Sequence, residues 1–160
     1  MRGSVAGRPH RGLTRPRSIA VQANRFARVC LTESIQYIRR RKAFGKLLQD
    51  QPVVRHKVAI MAKSVESTHA WIESLAGRVA EMERRGEDWF EAMLRLGAEA
   101  ALVKVQASET FELCAREAAL IFGGNAYITG NRIEHLYRQT LSLAIPGGSS
   151  SCPACGRLRD

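Results

Sequence analysis

Residues 52–86 read PVVRHKVAIMAKSVESTHAWIESLAGRVAEMERRG and carry the most regular pattern in the chain. Eight apolar residues and one threonine recur there in alternating steps of four and three: Val54, Val58, Met61, Val65, Thr68, Ile72, Leu75, Val79 and Met82. A repeat of about 3.5 residues keeps one helix face against its neighbours along its whole length. Pro52 suits the first turn of such a helix, and Gly86 suits the position just after its end. The stretch predicts a long helix packed in a bundle at shallow crossing angles.

A helix is also predicted before this stretch, over about residues 19–42. Apolar side chains recur there mainly every three to five positions, as is typical of an amphipathic helix. They are Ile19, Ala23, Phe26, Cys30, Ile35 and Ile38. Phe44 and Gly45 follow, and we expect them to end this helix.

A third helix is predicted to start at Asp88, which together with Glu91 resembles a capping box, and to end at Gly123 and Gly124. Its apolar face comprises Met93, Leu96, Ala100, Val103, Ala107, Phe111, Cys114, Ala118 and Ile121. Asn131 and Glu134 repeat the cap signal before a short fourth helix. The apolar and semipolar positions of that helix are Ile133, Leu136, Tyr137 and Thr140.

No strand-like alternation or hairpin signal competes with these helical patterns. The sequence therefore predicts an all-α protein, an up-and-down four-helix bundle over residues 19–145. Residues 1–18 are interpreted as a disordered basic leader, and residues 146–160 as an irregular tail. The length of 160 residues is enough for about one domain.

The net charge of +10 raises the question of a nucleic-acid partner. Half of the excess lies in residues 1–18, which hold five arginines and no acidic residue. Aromatic stacking residues are absent there, so a disordered leader is favoured over a nucleic-acid-binding arm. The arginine-rich start also resembles an organelle transit peptide, but Pro9 and Pro16 interrupt the amphipathic helix that such a peptide forms. Localisation stays open among mitochondrial, peroxisomal and cytoplasmic, and no apolar run is long enough to span a membrane.

The cysteines and histidines do not form a recognisable metal site. Cys30 and Cys114 fall in helical apolar patterns and are interpreted as core residues. Cys152 and Cys155 have the CxxC spacing of zinc and redox sites, but neither two further ligands nor a βαβ setting is visible. No two histidines have the i, i+4 spacing of a helical metal site, so no metal is predicted.

Four segments together resemble the C-terminal helical domain of the acyl-CoA dehydrogenases. They are Arg39-Arg40-Arg41-Lys42-Ala43-Phe44-Gly45-Lys46, His56-Lys57, Ile121-Phe122-Gly123-Gly124-Asn125-Ala126-Tyr127 and Leu136-Tyr137-Arg138. The resemblance rests on the order and spacing of these motifs and covers about residues 19–150.

This resemblance implies FAD as the cofactor and a set of residues that bind it. In the family, the segment matching Arg41 to Phe44 reaches the flavin dinucleotide, which is held largely by a neighbouring subunit, and the segment matching Gly123-Gly124 passes close to it. A guanidinium can grip a pyrophosphate, glycine lets the backbone approach the cofactor, and Phe44 offers an apolar face. The family commonly has glutamine at the positions of Leu120 and Pro52. Gln51, next to Pro52, is a candidate to replace the glutamine that is missing at position 52. The predicted cofactor-binding residues are therefore Arg41, Phe44, Gln51, Gly123 and Gly124.

The implied chemistry is α,β-desaturation of an acyl-CoA thioester, which needs a carboxylate to remove the α proton while the β hydride passes to flavin. The two positions at which the family places this base correspond to Gly147 and Arg15. Glu33 is the nearest acidic residue in the first helix, but it lies about 27 Å further along an intact helix. No catalytic residue is assigned, and Glu33 is interpreted as a surface or capping charge.

The sequence thus predicts a C-terminal acyl-CoA dehydrogenase domain, as a fragment or aberrant gene product that is inactive by itself. Association with a second copy or with intact relatives is expected from the heptad pattern and from the family's use of this domain at subunit contacts. Acyl-CoA would bind only where the missing domains are supplied. The alternative is a non-catalytic helical module that binds partner proteins or, less readily, nucleic acid.

Overall fold

The computed structural model describes residues 11–43 and 45–144, with side chains for 18–43, 45–88 and 94–143. Four helices dominate it: α1 Arg11–Arg40, α2 Pro52–Arg84, α3 Trp89–Phe122 and α4 Arg132–Ala144. Two short strands, β1 Lys42–Ala43 and β2 Lys46–Leu47, pair antiparallel between α1 and α2. Turns of 3₁₀ helix cover Leu48–Asp50 and Gly123–Ala126. The predicted all-α fold is confirmed.

Contacts between helices give their directions. The rings of Phe26 and Phe111 lie 5.5 Å apart, and Tyr37 stacks on Phe122, so α1 and α3 run parallel. Residues near the start of α2 meet the end of α3, whereas residues near its end meet the start of α3. The ion pairs Lys57–Glu117 and Arg78–Glu99 mark these two levels. Because α2 returns antiparallel between two parallel helices, the predicted up-and-down topology is confirmed.

The α2 heptad positions form one side of the core. Five of them are buried, and the other four are half-buried against the core. Thr68, the polar member, is 1% exposed and shares a 2.8 Å hydrogen bond with the hydroxyl of Thr110. This bond satisfies both hydroxyls inside the core, where an unpaired polar group would be costly.

Helix α3 is the centre of the bundle and contacts all three other helices. Every predicted position of its apolar face from Leu96 to Ile121 is buried. Ala20, Ala23 and Ala27 of α1 are fully buried, and these small side chains let the backbones of α1 and α3 approach closely.

The ends of α1 differ from the prediction. The helix begins at Arg11, so residues 11–18, which were predicted to be part of the leader, are helical. They carry no recurring apolar face, and periodicity therefore could not find them. The helix stops at Arg40 because residues 42–43 pair with 46–47, and Gly45, at φ +75°, turns the chain between these strands. Strands of two residues are too short to show alternation in a sequence.

The predicted stop of α2 takes the form of a Schellman motif. Gly86, at φ +66°, donates its N–H to the carbonyl of Glu83, and Glu87 donates to the carbonyl of Met82.

The predicted cap of α4 is only partly correct. Asn131 Oδ1 accepts a 2.9 Å bond from the N–H of Ile133, but Glu134 pairs with Arg138 of the next turn.

The rest of the predicted leader, residues 1–10, lies outside the described residues, as do the predicted tail and its two cysteines. None of the described helices is long and apolar enough to cross a membrane.

Candidate functional site

Tyr37 joins the end of α1 to the end of α3. Its ring stacks on Phe122 with the centroids 4.1 Å apart and the planes at 17°. Its hydroxyl accepts a 3.0 Å hydrogen bond from Nδ2 of Asn125, in the turn that follows α3. The glycine turn of residues 123–126 is therefore tied to the last turn of α1.

Arg41 lies one helical turn after Tyr37. Its backbone N–H donates to the carbonyl of Tyr37 at 2.9 Å, and its own carbonyl accepts from Leu48 at 2.9 Å. The backbone is held from both sides while the side chain is exposed, and the guanidinium makes no ion pair with any described residue. A fixed backbone with an uncompensated guanidinium can bind an anion from outside the chain.

Gly123 and Gly124, which follow α3, differ in whether their backbone conformation requires glycine. Gly123 has φ +59°, a left-handed conformation that ends the helix and favours glycine for that reason alone. Gly124 does not have a positive φ, and a Cβ added to it would meet no heavy atom within 4 Å. Since packing within the described chain does not require glycine at 124, any such requirement would come from a molecule that approaches this exposed turn.

Gln51 lies at the start of α2, at the same end of the bundle. Its N–H donates to the carbonyl of Leu48 at 3.1 Å, and its carbonyl accepts from Arg55 at 3.1 Å. The side-chain amide is half-buried and does not cap α2. Of the five predicted cofactor residues, the structure therefore gathers Arg41, Gln51 and the two glycines at one end, whereas Phe44 lies outside the described residues.

Two carboxylates on α1 and α3 are engaged in ion pairs. Glu33 Oε1 lies 2.7 Å from Nη1 of Arg132 and links α1 to α4. Glu117 is 12% exposed and pairs with Lys57 and, at 3.1 Å, with Arg116. Gly147 and the side chain of Arg15 fall outside the described parts of the chain.

Sequence reasoning missed Tyr37 as a residue of this end of the bundle. Its position one turn before Arg41 was the available signal, but its partner Asn125 lies 88 residues away. Across the described ranges, no three side chains of histidine, cysteine, aspartate or glutamate cluster as metal ligands would.

These observations define a helical domain with a basic, glycine-bearing end at which two loops are joined. Residues 12–153 match the family described as "Acyl-CoA dehydrogenase, C-terminal domain", and the chain belongs to this family. Over 135 residues it is 36% identical to the acyl-CoA dehydrogenase apdG of Emericella nidulans, covering 82% of this chain and 30% of that protein. The chain thus spans about 30% of the length of this curated relative.

Solved structures agree with this assignment. A probable acyl-CoA dehydrogenase from Mycobacterium abscessus superposes with a TM-score of 0.78 at 28% identity, covering 91% of this chain and 36% of that one. The acyl-CoA dehydrogenase of Bacillus anthracis, determined with FAD, gives a TM-score of 0.78 at 21% identity, covering 86% and 25%. This second likeness shows the fold alone. The chain is a C-terminal helical domain of a family of flavoprotein oxidoreductases, and the alternative of a non-catalytic interaction module is not favoured.

Proposed function

We propose that this domain forms one wall of the FAD site of an acyl-CoA dehydrogenase, through Arg41, Gln51, Gly123, Gly124 and Phe44. The observation that carries the proposal is the double contact of Tyr37 with Phe122 and Asn125, which holds the Arg41 loop and the glycine turn together. A cofactor as long as a dinucleotide needs several such contacts on one rigid surface.

Each residue would have its own role. Arg41 would bind the pyrophosphate through paired, charge-assisted hydrogen bonds, and its uncompensated guanidinium fits this role. Gly124 would let the backbone approach the cofactor, and the open space around its Cα fits a close neighbour from outside. Gln51 would donate or accept a hydrogen bond through its amide, and Phe44 would supply an apolar face. When bound, FAD supplies the acceptor for the hydride that leaves the β carbon of the thioester.

The substrate class that we propose is acyl-CoA, and the reaction is α,β-desaturation. Removal of the α proton requires a carboxylate whose charge is available to the substrate. Glu33 and Glu117 are held by cationic partners, and we assign neither of them this role. The base and the acyl-CoA pocket would then be supplied by other parts of the enzyme, and this chain by itself would bind flavin without turnover.

A flavin titration tests the proposal. Purified chain is titrated into FAD while flavin fluorescence and equilibrium dialysis are followed. Arg41→Ala is expected to weaken binding about tenfold, because one charge-assisted contact is lost. Gly124→Val is expected to weaken it similarly without lowering the free energy of unfolding. Arg84→Ala, which removes one exposed arginine at the opposite end of the bundle, is the matched control and should bind FAD normally. Absence of FAD binding by the chain, or equal affinity in all three variants, would refute the proposed site.

Self-association of the domain is also part of this proposal, but the heptad pattern does not support it. All nine heptad positions pack inside the bundle, so a second copy would need another surface. The large apolar side chains that remain exposed near the end of α3 and on α4 include Tyr127 at 92%, Ile128 at 63% and Leu141 at 70%. Sedimentation velocity over a concentration series decides between a monomer and an oligomer.

A further inference from the structure

The start of α2, residues 52–60, is held to the bundle less firmly than the rest of that helix. None of these residues is buried, and the heptad positions Val54 and Val58 are only half-buried. The first buried residue of α2 is Met61. Gln51, which precedes the helix, makes no side-chain cap. Apolar packing and capping therefore fix the start of α2 only weakly, although it directly follows one of the proposed flavin contacts.

On the side of α1, an open groove separates the start of α2 from the end of α1. Its volume is about 480 Å³. Ile35 and Ile38 line it from α1, and Arg55 and Val58 line it from α2. Side chains that face such a space lose part of their packing contacts. The end of α1 therefore gives the start of α2 less support than a closed helix interface would.

On the side of α3, the start of α2 is held by the ion pair between Lys57 and Glu117. The side chain of Glu117 is 12% exposed, and its second oxygen lies 3.1 Å from Nη2 of Arg116. No other side chain of residues 52–60 forms an ion pair or a side-chain hydrogen bond with a described residue of another helix. Because Glu117 is largely shielded from water, movement of α2 away from α3 would leave this carboxylate short of a partner.

Such a pair fixes a position more than it adds stability. Removing two charges from water offsets much of their attraction, so an apolar pair of similar size would stabilise the fold about as well. An apolar pair would also tolerate sliding, because the heptad face presents similar side chains every three or four residues. A charge pair tolerates it less, since its two groups must stay in contact. The Lys57–Glu117 pair is therefore suited to fixing where the start of α2 lies on α3.

The position of this pair relates it to the flavin-facing end. Lys57 lies six residues after Gln51, and Glu117 lies six residues before Gly123. Because α2 and α3 run antiparallel, both intervals, of about 9 Å each, lead towards the same end of the bundle. We propose that Lys57 is a positioning residue of the flavin site, which holds Gln51 at the level of the glycine turn through Glu117. This inference rests on the proposed flavin site and gives a role to the second residue of the His56-Lys57 segment.

Hydrogen exchange in the absence of FAD tests whether Lys57 holds this end of α2. Lys57→Met removes the charge and keeps a long side chain. Exchange at the amides of residues 55–60 is expected to become about tenfold faster because their hydrogen bonds open locally, while the middle of α2 stays unchanged. Arg78→Met is the matched control, since Arg78 pairs with Glu99 at the other end of the same helix interface. It should leave exchange at residues 55–60 unchanged.

Titration with FAD tests the link to the cofactor. Lys57→Met is expected to weaken binding about tenfold, the loss that one misplaced hydrogen-bonding group, Gln51, would cause. Glu117→Gln is expected to weaken it about threefold, because the amide still accepts a hydrogen bond from Lys57 but lacks the charge. These two substitutions change the net charge in opposite directions. If charge alone attracted the anionic cofactor, Glu117→Gln would bind FAD more tightly than the wild type.

Two variants should keep the wild-type affinity for FAD. Lys57→Arg restores a cation opposite Glu117, and its affinity should lie within about twofold of the wild type. Arg78→Met removes a positive charge far from the flavin-facing end and should bind FAD normally.

The outcomes separate this inference from the proposed function. A wild-type chain that does not bind FAD refutes the flavin site and the role of Lys57 together. If the wild type binds FAD and Lys57→Met binds it equally well, only the role of Lys57 is overturned. Equal acceleration of exchange at residues 55–60 in Lys57→Met and Arg78→Met overturns it as well, because it shows a general loss of stability. If Lys57→Met does not fold, Glu117→Gln decides, and an affinity for FAD at or above that of the wild type overturns the inference.

Discussion

Tyr37 is the residue at which the fold and the candidate flavin site meet, and two substitutions separate its contacts. Tyr37→Phe removes only the hydroxyl, which accepts the 3.0 Å bond from Asn125. Tyr37→Leu also removes the ring that stacks on Phe122 at 4.1 Å.

The expected cost follows from these two contacts. A net hydrogen bond is worth about 0.5–1.5 kcal/mol, and an aromatic pair adds about 0.5–1.5 kcal/mol beyond its buried area. Because Tyr37 is half-buried, the lower half of both ranges applies. We expect Tyr37→Phe to lower the free energy of unfolding by about 0.5–1 kcal/mol and Tyr37→Leu by about 1–2 kcal/mol.

Urea unfolding followed by circular dichroism measures these changes, and hydrogen exchange shows where they act. Faster exchange is expected at the N–H of Tyr127, which donates to Gly124 across the glycine turn. Tyr137→Leu is the matched control, because Tyr137 is 48% exposed on α4, and its effect should stay within about 0.5 kcal/mol. If Tyr37→Leu cost no more than this control and left exchange at Tyr127 unchanged, Tyr37 would not join the two loops.

Two further predictions concern the core and the helix glycines. Burial raises the pKa of the Cys30 and Cys114 thiols from 9.0 to about 12. At pH 8 an alkylating reagent should therefore leave both unlabelled in the native chain, as peptide mass spectrometry would show. Because the thiols of the unfolded chain ionise at lower pH than the buried ones, the free energy of unfolding should fall as pH rises from about 9 towards 12. It should fall less steeply in a Cys30→Ala, Cys114→Ala double variant. Equal slopes of the free energy of unfolding against pH in the two proteins would contradict this reasoning. In urea unfolding, Gly77→Ala should stabilise the chain by about 0.5–1 kcal/mol, because Gly77 is exposed inside α2 and an added Cβ meets nothing within 4 Å. Gly86→Ala should instead destabilise the chain by about 1 kcal/mol, because Gly86 has a φ of +66° that alanine adopts only with strain. If both alanine substitutions changed the free energy of unfolding in the same direction, the roles given to the two glycines would be contradicted.

The buried faces of α2 and α3 could be predicted because their signal is local. Residues three and four positions apart share a helix face, so the apolar pattern in the chain maps directly onto the core. The start of α1 at Arg11 and the two-residue strands lacked such a signal. Both depend on backbone hydrogen bonds rather than on a repeated apolar face.

The candidate flavin residues were found by motif, and their grouping was not visible in the chain. Arg41 and the glycine turn lie about eighty residues apart, and only the parallel packing of α1 and α3 brings Tyr37 onto Phe122. The heptad pattern predicted packing inside a bundle, and all nine of its positions do pack inside one chain. Association between copies stays a prediction, and it would need another surface.

The sequence by itself determined the helices, their buried faces and the family, since each of these depends on residue types at short, regular spacing. Tertiary structure alone decided which ends meet and how Glu33 and Glu117 are neutralised. The physical reason is that a hydrogen bond or ion pair depends on distances of about 3 Å between residues far apart in the chain, and these distances exist only after the helices have packed.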